Sequence, residues 1–141
     1  MNSYRESEGL ARIPQSCSLC TVADAHTKQY NNNPDLKGHD WEDCKYDGNM
    51  ACMGDKPREL TNYQGEGFEN MARYSVNGRG SMSPQQALEQ WQGSPGHNNV
   101  ILNLGSMWSQ SEWKAMGASV DGGYAVLWFG KEVDENCGDH P

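Results

Sequence analysis

A chain of 141 residues with 35% hydrophobic residues, five Trp, six Tyr and two Phe can bury the core of one domain and is too rich in bulky anchors to read as disordered. Its 11 Lys and Arg stand against 19 Asp and Glu, a net charge of −8 with no basic cluster, which argues against a nucleic-acid partner and against attraction to anionic lipid. No apolar run approaches the length of a membrane span, so no membrane insertion is expected. The opening MNSYRESEGL lacks an apolar signal region; if the protein is exported, the sequence is expected to be its mature domain behind a start methionine.

The first nine residues read as the end of a short helix closed by Gly9, followed by an extended link to Pro14. From Ser16, a candidate N-cap, Leu19, Val22, Ala23, His26 and Tyr30 recur at helical spacing and define an amphipathic helix that stops at NNNPD. His26 falls on its apolar face and reads as a packed core histidine. Residues 34–65 show no sustained period and are expected to form a long loop with one short helical turn, of the kind that is either functional or stapled. GFENMARYSV reads as a strand bounded by Gly67 and the turn NGRG.

Ser83, Pro84 and Gln86 form a capping-box signature for a helix whose Ala87, Leu88 and Trp91 line one face. Gly93, Pro95 and Gly96 are expected to end it, with His97 projecting from its C-terminal end and a short turn running on to Leu102. AMGASV and YAVLWFG, joined through DGG, read as a hairpin whose second strand alternates its side chains. The order of elements suits an α+β domain with helices on an antiparallel sheet, over residues 1–130, with 131–141 as a loose polar tail.

Five cysteines, Cys17, Cys20, Cys44, Cys52 and Cys137, leave at least one without a partner in the chain. Cys44 and Cys52 flank the glycine-containing loop KYDGNMA, which suits a short-loop disulfide, while other pairings with Cys17, Cys20 and Cys137 stay open. The C-x-x-C of Cys17 and Cys20 is compatible with a redox pair, half of a zinc site, or helical neighbours. No second C-x-x-C or C-x-x-H follows and no strand precedes it, so the structural reading is preferred, with disulfides pointing to an oxidising compartment.

His140 sits in the tail, which leaves His39, in KGHDW, and His97, in SPGHNN, as histidines in glycine-bounded turns that reach a cleft. The plain alternative has His97 bonding the last carbonyls of a helix and Glu69 facing solvent from a strand.

ALEQWQGSPGH resembles the W-x-x-S-x-G-H segment of bacterial members of the CAP superfamily, the group of cysteine-rich secretory, antigen 5 and pathogenesis-related proteins. NSYRESEGL is similar to the N-x-x-R opening helix of that superfamily, SLCTVADAH to its second helix, ENMA to its Glu-Asn-aliphatic-Ala segment, and MGASVDGGYAVLWFG to its closing hairpin. These segments follow one another in the family's order from Asn2 to Gly130. The resemblance implies a three-layer α-β-α sandwich with a small antiparallel sheet, SCP-like, and a cleft lined by two histidines and two glutamates that in several members holds a divalent cation, often zinc.

Carried over by motif, the metal set is His39, Glu69 and His97, for Zn2+ or another divalent cation. The second glutamate falls on Ser94, a departure from the animal and plant pattern that many bacterial relatives share. Phe68 stands where the usual motif has glycine, so Glu66 is a rival to Glu69. Two neutral imidazoles and one carboxylate make an open zinc set, expected to bind weakly and to depend on pH.

The first expectation for function is therefore a secreted or periplasmic binding domain that recognises a lipid, a glycan or a protein partner. The second is a hydrolase, either metal-assisted at His39, Glu69 and His97 or nucleophilic through Ser94, His97 and Glu69, although neither G-x-S-x-G nor H-E-x-x-H is present. The third is a disulfide-stabilised scaffold with a vestigial cleft.

Overall fold

The computed structural model describes residues 1–46, 51–74 and 80–135. Its elements are α1 (Asn2–Ser7), α2 (Cys17–Asn32), α3 (Ala51–Leu60), β1 (Gly67–Arg73), α4 (Pro84–Gln92), α5 (Pro95–Leu102), α6 (Gly105–Trp108), β2 (Ala115–Asp121) and β3 (Tyr124–Gly130). The strands form one antiparallel sheet in the order β1-β3-β2, with Glu69 opposite Trp128 and Gly117 opposite Trp128 on either side of the central strand.

β3 divides the core in two. Ala125, Leu127 and Phe129 face Trp91 of α4 and Ile101 of α5, whereas Tyr124, Val126 and Trp128 face Leu19 and Val22 of α2 and Met53 of α3. The result is the α-β-α sandwich expected from the motif order. The side chains of the second hairpin strand alternate between these two halves as expected, and every residue of β3 is buried, because helices cover both faces of a strand that also has a neighbour on each edge.

Helix starts follow the capping logic of the sequence. The Ser16 hydroxyl accepts from the Leu19 N–H at 2.9 Å, and Ser83 with Gln86 closes a full capping box. Gly117 lets α2 lie directly on β2, since a Cβ there would stand 2.2 Å from the Cys20 nitrogen. Gly122 takes the hairpin turn at φ +58°, which a side chain rarely adopts.

The sequence expectation differs from the structure at several points. Residues 34–65 do not form a mere loop: α3 is ten residues long despite Pro57, whose ring packs where a Cβ on Gly67 would otherwise sit. His97 does not trail from the end of α4; Pro95 starts a new helix, and His97 lies in the first turn of α5. The chain just after Gly130 is tied down rather than loose. Tyr63 Oη donates to the Glu132 carbonyl at 2.6 Å, and Asp134 accepts from Ser16 Oγ at 2.6 Å and from the Ser18 N–H at 2.9 Å. Most of the NGRG turn, Cys137 and His140 lie outside the described residues.

Cys44 and Cys52 form the expected disulfide, Cys17 is disulfide-bonded as well, and Cys20 is a free thiol. Arg5 gives the opening N-x-x-R a structural role. Only 5% exposed, it donates from Nη1 to the Ile101 carbonyl and Asn103 Oδ1, and from Nε to the Ala11 carbonyl, clamping α1 onto the C-terminal end of α5.

Candidate functional site

β1 is an edge strand, and successive residues on a strand face opposite ways. Glu69 therefore points into the α2 layer and Asn70 into the α5 layer, so this Glu-Asn pair straddles the line where the layers part. A cleft of about 320 Å³ opens there. His39, Glu69, Asn70 and His97 supply its polar part, and Phe68 and Trp108 stand edge-to-face in its apolar part, their ring centres 5.3 Å apart. A larger depression of about 470 Å³ near Tyr63 and Glu132 contains no histidine or cysteine.

His39 arrives on the loop after α2, just past Gly38, which turns at φ +53°. Its Nδ1 lies 2.8 Å from Glu69 Oε1. The other carboxylate oxygen, Oε2, is 2.5 Å from Nδ1 of His26, and both His26 and the Glu69 side chain are fully buried. Burial by itself would raise the Glu69 carboxyl. The positive charge of His26 and the hydrogen bonds from His26 and His39 outweigh it and hold the group below its ordinary range.

An ionised carboxylate only accepts, so Nδ1 donates in both histidines. His26 Nε2 faces the Asp40 carbonyl at 2.9 Å, another acceptor, so hydrogen-bond accounting has both nitrogens of His26 donating. Its ring is sandwiched between Trp41, at 3.9 Å and 6°, and Tyr30, at 4.3 Å and 29°. A cationic ring between aromatic faces is a favourable arrangement.

On the opposite wall, Ser94 is the N-cap of α5, yet its hydroxyl caps no backbone N–H. It meets His97 Nδ1 at 2.8 Å instead, while Asn70 Nδ2 donates to the His97 carbonyl at 3.1 Å. Burial, and secondly the charge of nearby His39, lower the His97 pKa and favour its neutral ring.

The structure thus brings His39, Glu69 and His97 to one cleft. Glu66 is exposed and lies outside its lining, and among the described residues Ser94 meets the site through His97. Among the described residues no three His, Cys, Asp or Glu side chains are grouped as a ready metal site. Both Glu69 oxygens serve imidazoles, and a carboxylate in that position supports a ligating histidine from behind. The ring nitrogens that would be left for a cation are Nε2 of His39 and Nε2 of His97, for which no hydrogen bond is found among the described residues. Sequence reasoning missed His26 and Asn70. A histidine on the apolar face of α2 needs a buried partner, and that requirement was the available signal.

These elements define an α-β-α sandwich with an acid-and-imidazole cleft where its layers part. The sequence matches the CAP family, described as the cysteine-rich secretory protein family, over residues 1–125, and the chain belongs to that family. No curated protein matches the sequence. Among solved structures, a cysteine-rich secretory protein from Staphylococcus aureus aligns at TM-score 0.60 and 17% identity, covering 93% of this chain and 36% of that one. An outer surface protein of Borrelia burgdorferi aligns at TM-score 0.67 and 15% identity, covering 93% and 86%. An extracellular SCP-domain protein from Bacillus anthracis aligns at TM-score 0.64 and 21% identity, covering 93% and 37%. This chain therefore spans little more than a third of the Staphylococcus and Bacillus proteins, and at these identities the likeness is one of fold.

Proposed function

We propose that this protein is an extracellular binding domain whose cleft takes a divalent cation, Zn2+ foremost, through His39 and His97, beside an apolar wall that receives the carbon part of a lipid, glycan or protein ligand. The observation that carries this reading is the placement of both imidazoles in one cleft, each with Nδ1 engaged, by Glu69 and by Ser94. Phe68 and Trp108 supply the apolar wall. The Cys44–Cys52 disulfide and the secretory, outer-surface and extracellular descriptions of the structural neighbours support a location outside the cytoplasm. A bound cation would supply a Lewis-acid centre.

The test is a zinc titration followed through the imidazole signals at near-neutral pH. His39 and His97 are expected to shift together while buried His26 stays still, and His39→Ala or His97→Ala is expected to abolish the response with the fold intact. Independent or absent shifts would leave the scaffold reading. A hydrolase is the second reading, favoured by the 2.8 Å contact between Ser94 Oγ and His97 Nδ1. Glu69, however, is committed to His26 and His39, so a Ser94–His97–Glu69 relay has no third member in this geometry. Ser94→Ala should silence any esterase activity if that reading is correct.

A further inference from the structure

We propose that His26 is a positioning residue for the cleft, holding His39 at two points and setting which of its nitrogens faces a ligand. The first point is the backbone. His26 Nε2 donates at 2.9 Å to the carbonyl of Asp40, the residue next to His39, and Trp41, one residue further, lies flat on the His26 ring at 3.9 Å. The His39 loop is wound around this ring, and Tyr30 Oη, from the same face of α2, donates to the Gly38 carbonyl on the other side of His39. The second point is the side chain. His26 Nδ1 fixes Glu69 Oε2 at 2.5 Å, which aims Oε1 at His39 Nδ1 at 2.8 Å.

A neutral histidine free in water favours the proton on Nε2. Here a buried acceptor facing Nδ1 reverses that choice and leaves Nε2 as the bare nitrogen. His26 is invisible to a ligand in this arrangement, since its side chain is wholly buried. Its effect travels through one carboxylate and one stretch of loop.

This inference rests on the cleft reading proposed above, and the experiment separates the two. Nitrogen-detected imidazole spectra of the metal-free protein report the tautomer of neutral His39. They are recorded for the unsubstituted protein, for His26→Phe, which keeps a ring between Trp41 and Tyr30 but donates nothing, and for His26→Asn, which keeps a donor near the place of Nδ1. The unsubstituted protein should show His39 as the Nδ1–H tautomer. His26→Phe should show a mixture dominated by Nε2–H, and His26→Asn should recover the Nδ1–H form.

Zn2+ alone is then titrated into each. His26→Phe is expected to bind it about 10–100-fold more weakly, the usual effect of losing a supporting partner of a ligating histidine, with His26→Asn lying nearer the unsubstituted protein. A His39 tautomer unchanged by His26→Phe, or an Nε2–H tautomer in the unsubstituted protein, overturns the proposal; the latter needs no variant to fold. If the tautomer responds as expected but no variant binds Zn2+, the positioning role stands and the cation reading fails. If Zn2+ binds equally to all three proteins, the cation reading stands and the positioning role fails.

Discussion

Replacing Glu69 with Gln keeps the side-chain volume, removes the charge that joins α2, β1 and the His39 loop, and turns one of its two acceptor oxygens into an NH2 donor. The carboxylate accepts from His26 at 2.5 Å and from His39 at 2.8 Å, inside a site where it and His26 have no solvent exposure. Each hydrogen bond to a charged group contributes roughly 1.5–3 kcal/mol. Removing one partner of a buried pair strands the other, at a cost of about 3–5 kcal/mol. The two bonds together give about 3–6 kcal/mol and the stranded partner about 3–5 kcal/mol, so the loss near neutral pH is a large part of the stability of about 5–15 kcal/mol expected for such a domain. Urea unfolding followed by tryptophan fluorescence reads it directly.

The pH dependence carries a sign. The folded-state pKa of Glu69 lies below the model-compound value of 4.5, so its contribution is complete above that value and disappears as pH falls through the folded-state pKa. A protonated Glu69 is nearly the isostere of Gln, so the gap between the two proteins should be widest near neutrality and should close in acid. A Gln variant within about 1 kcal/mol of the unsubstituted protein at neutral pH, or a gap that widens in acid, would refute this reasoning.

Arg5→Leu should destabilise the fold by roughly 2–3 kcal/mol, because the Ile101 carbonyl at the end of α5 and the Ala11 carbonyl in the link after α1 lose their charged donor; thermal unfolding checks it, and a change below ~0.5 kcal/mol would show that water replaces the guanidinium at no loss. Alkylation of the native protein without reductant should label Cys20 and spare Cys17, Cys44 and Cys52, as read by peptide mass spectrometry. Labelling of Cys44 and Cys52 under those conditions would argue against both the staple and an oxidising compartment.

The parts of the fold legible in the sequence are those written locally. Ser16 and the Ser83–Gln86 box announce helix starts, and the DGG turn announces the hairpin, because a cap or a tight turn is specified by neighbours in the chain. α3 was not legible: Pro57 and Gly54 break the periodic signal, and what holds the helix is the buried Lys56, paired with Asp43 at 2.7 Å, together with the Cys44–Cys52 bridge. The full burial of β3 was equally hidden. A hairpin pattern does not say that a third strand, β1, will pair with the far edge of the second one and make it central.

The site divides along the same line. His39, Glu69 and His97 could be drawn from the sequence because a family motif marks each of them. Their roles could not, because a role depends on who stands behind the side chain. Glu69 reads as a ligand until His26, 43 residues earlier, is found on its second oxygen. Ser94 reads as a substitute for an acid until its hydroxyl is found on the imidazole nitrogen that a backbone cap would have left alone. Each wall of the cleft thus holds one histidine by Nδ1, one through an anion and one through a hydroxyl. The two rings are therefore held unequally, His39 through a charged group and His97 through a neutral one. Burial, and secondly the charge of His39, lower the His97 pKa, so a cation on its ring meets less competition from protons than on an ordinary imidazole. If His97 ligates, its signals should still respond to zinc in titrations carried below pH 6.5, the model-compound value; loss of the response above that pH would count against the ligand role.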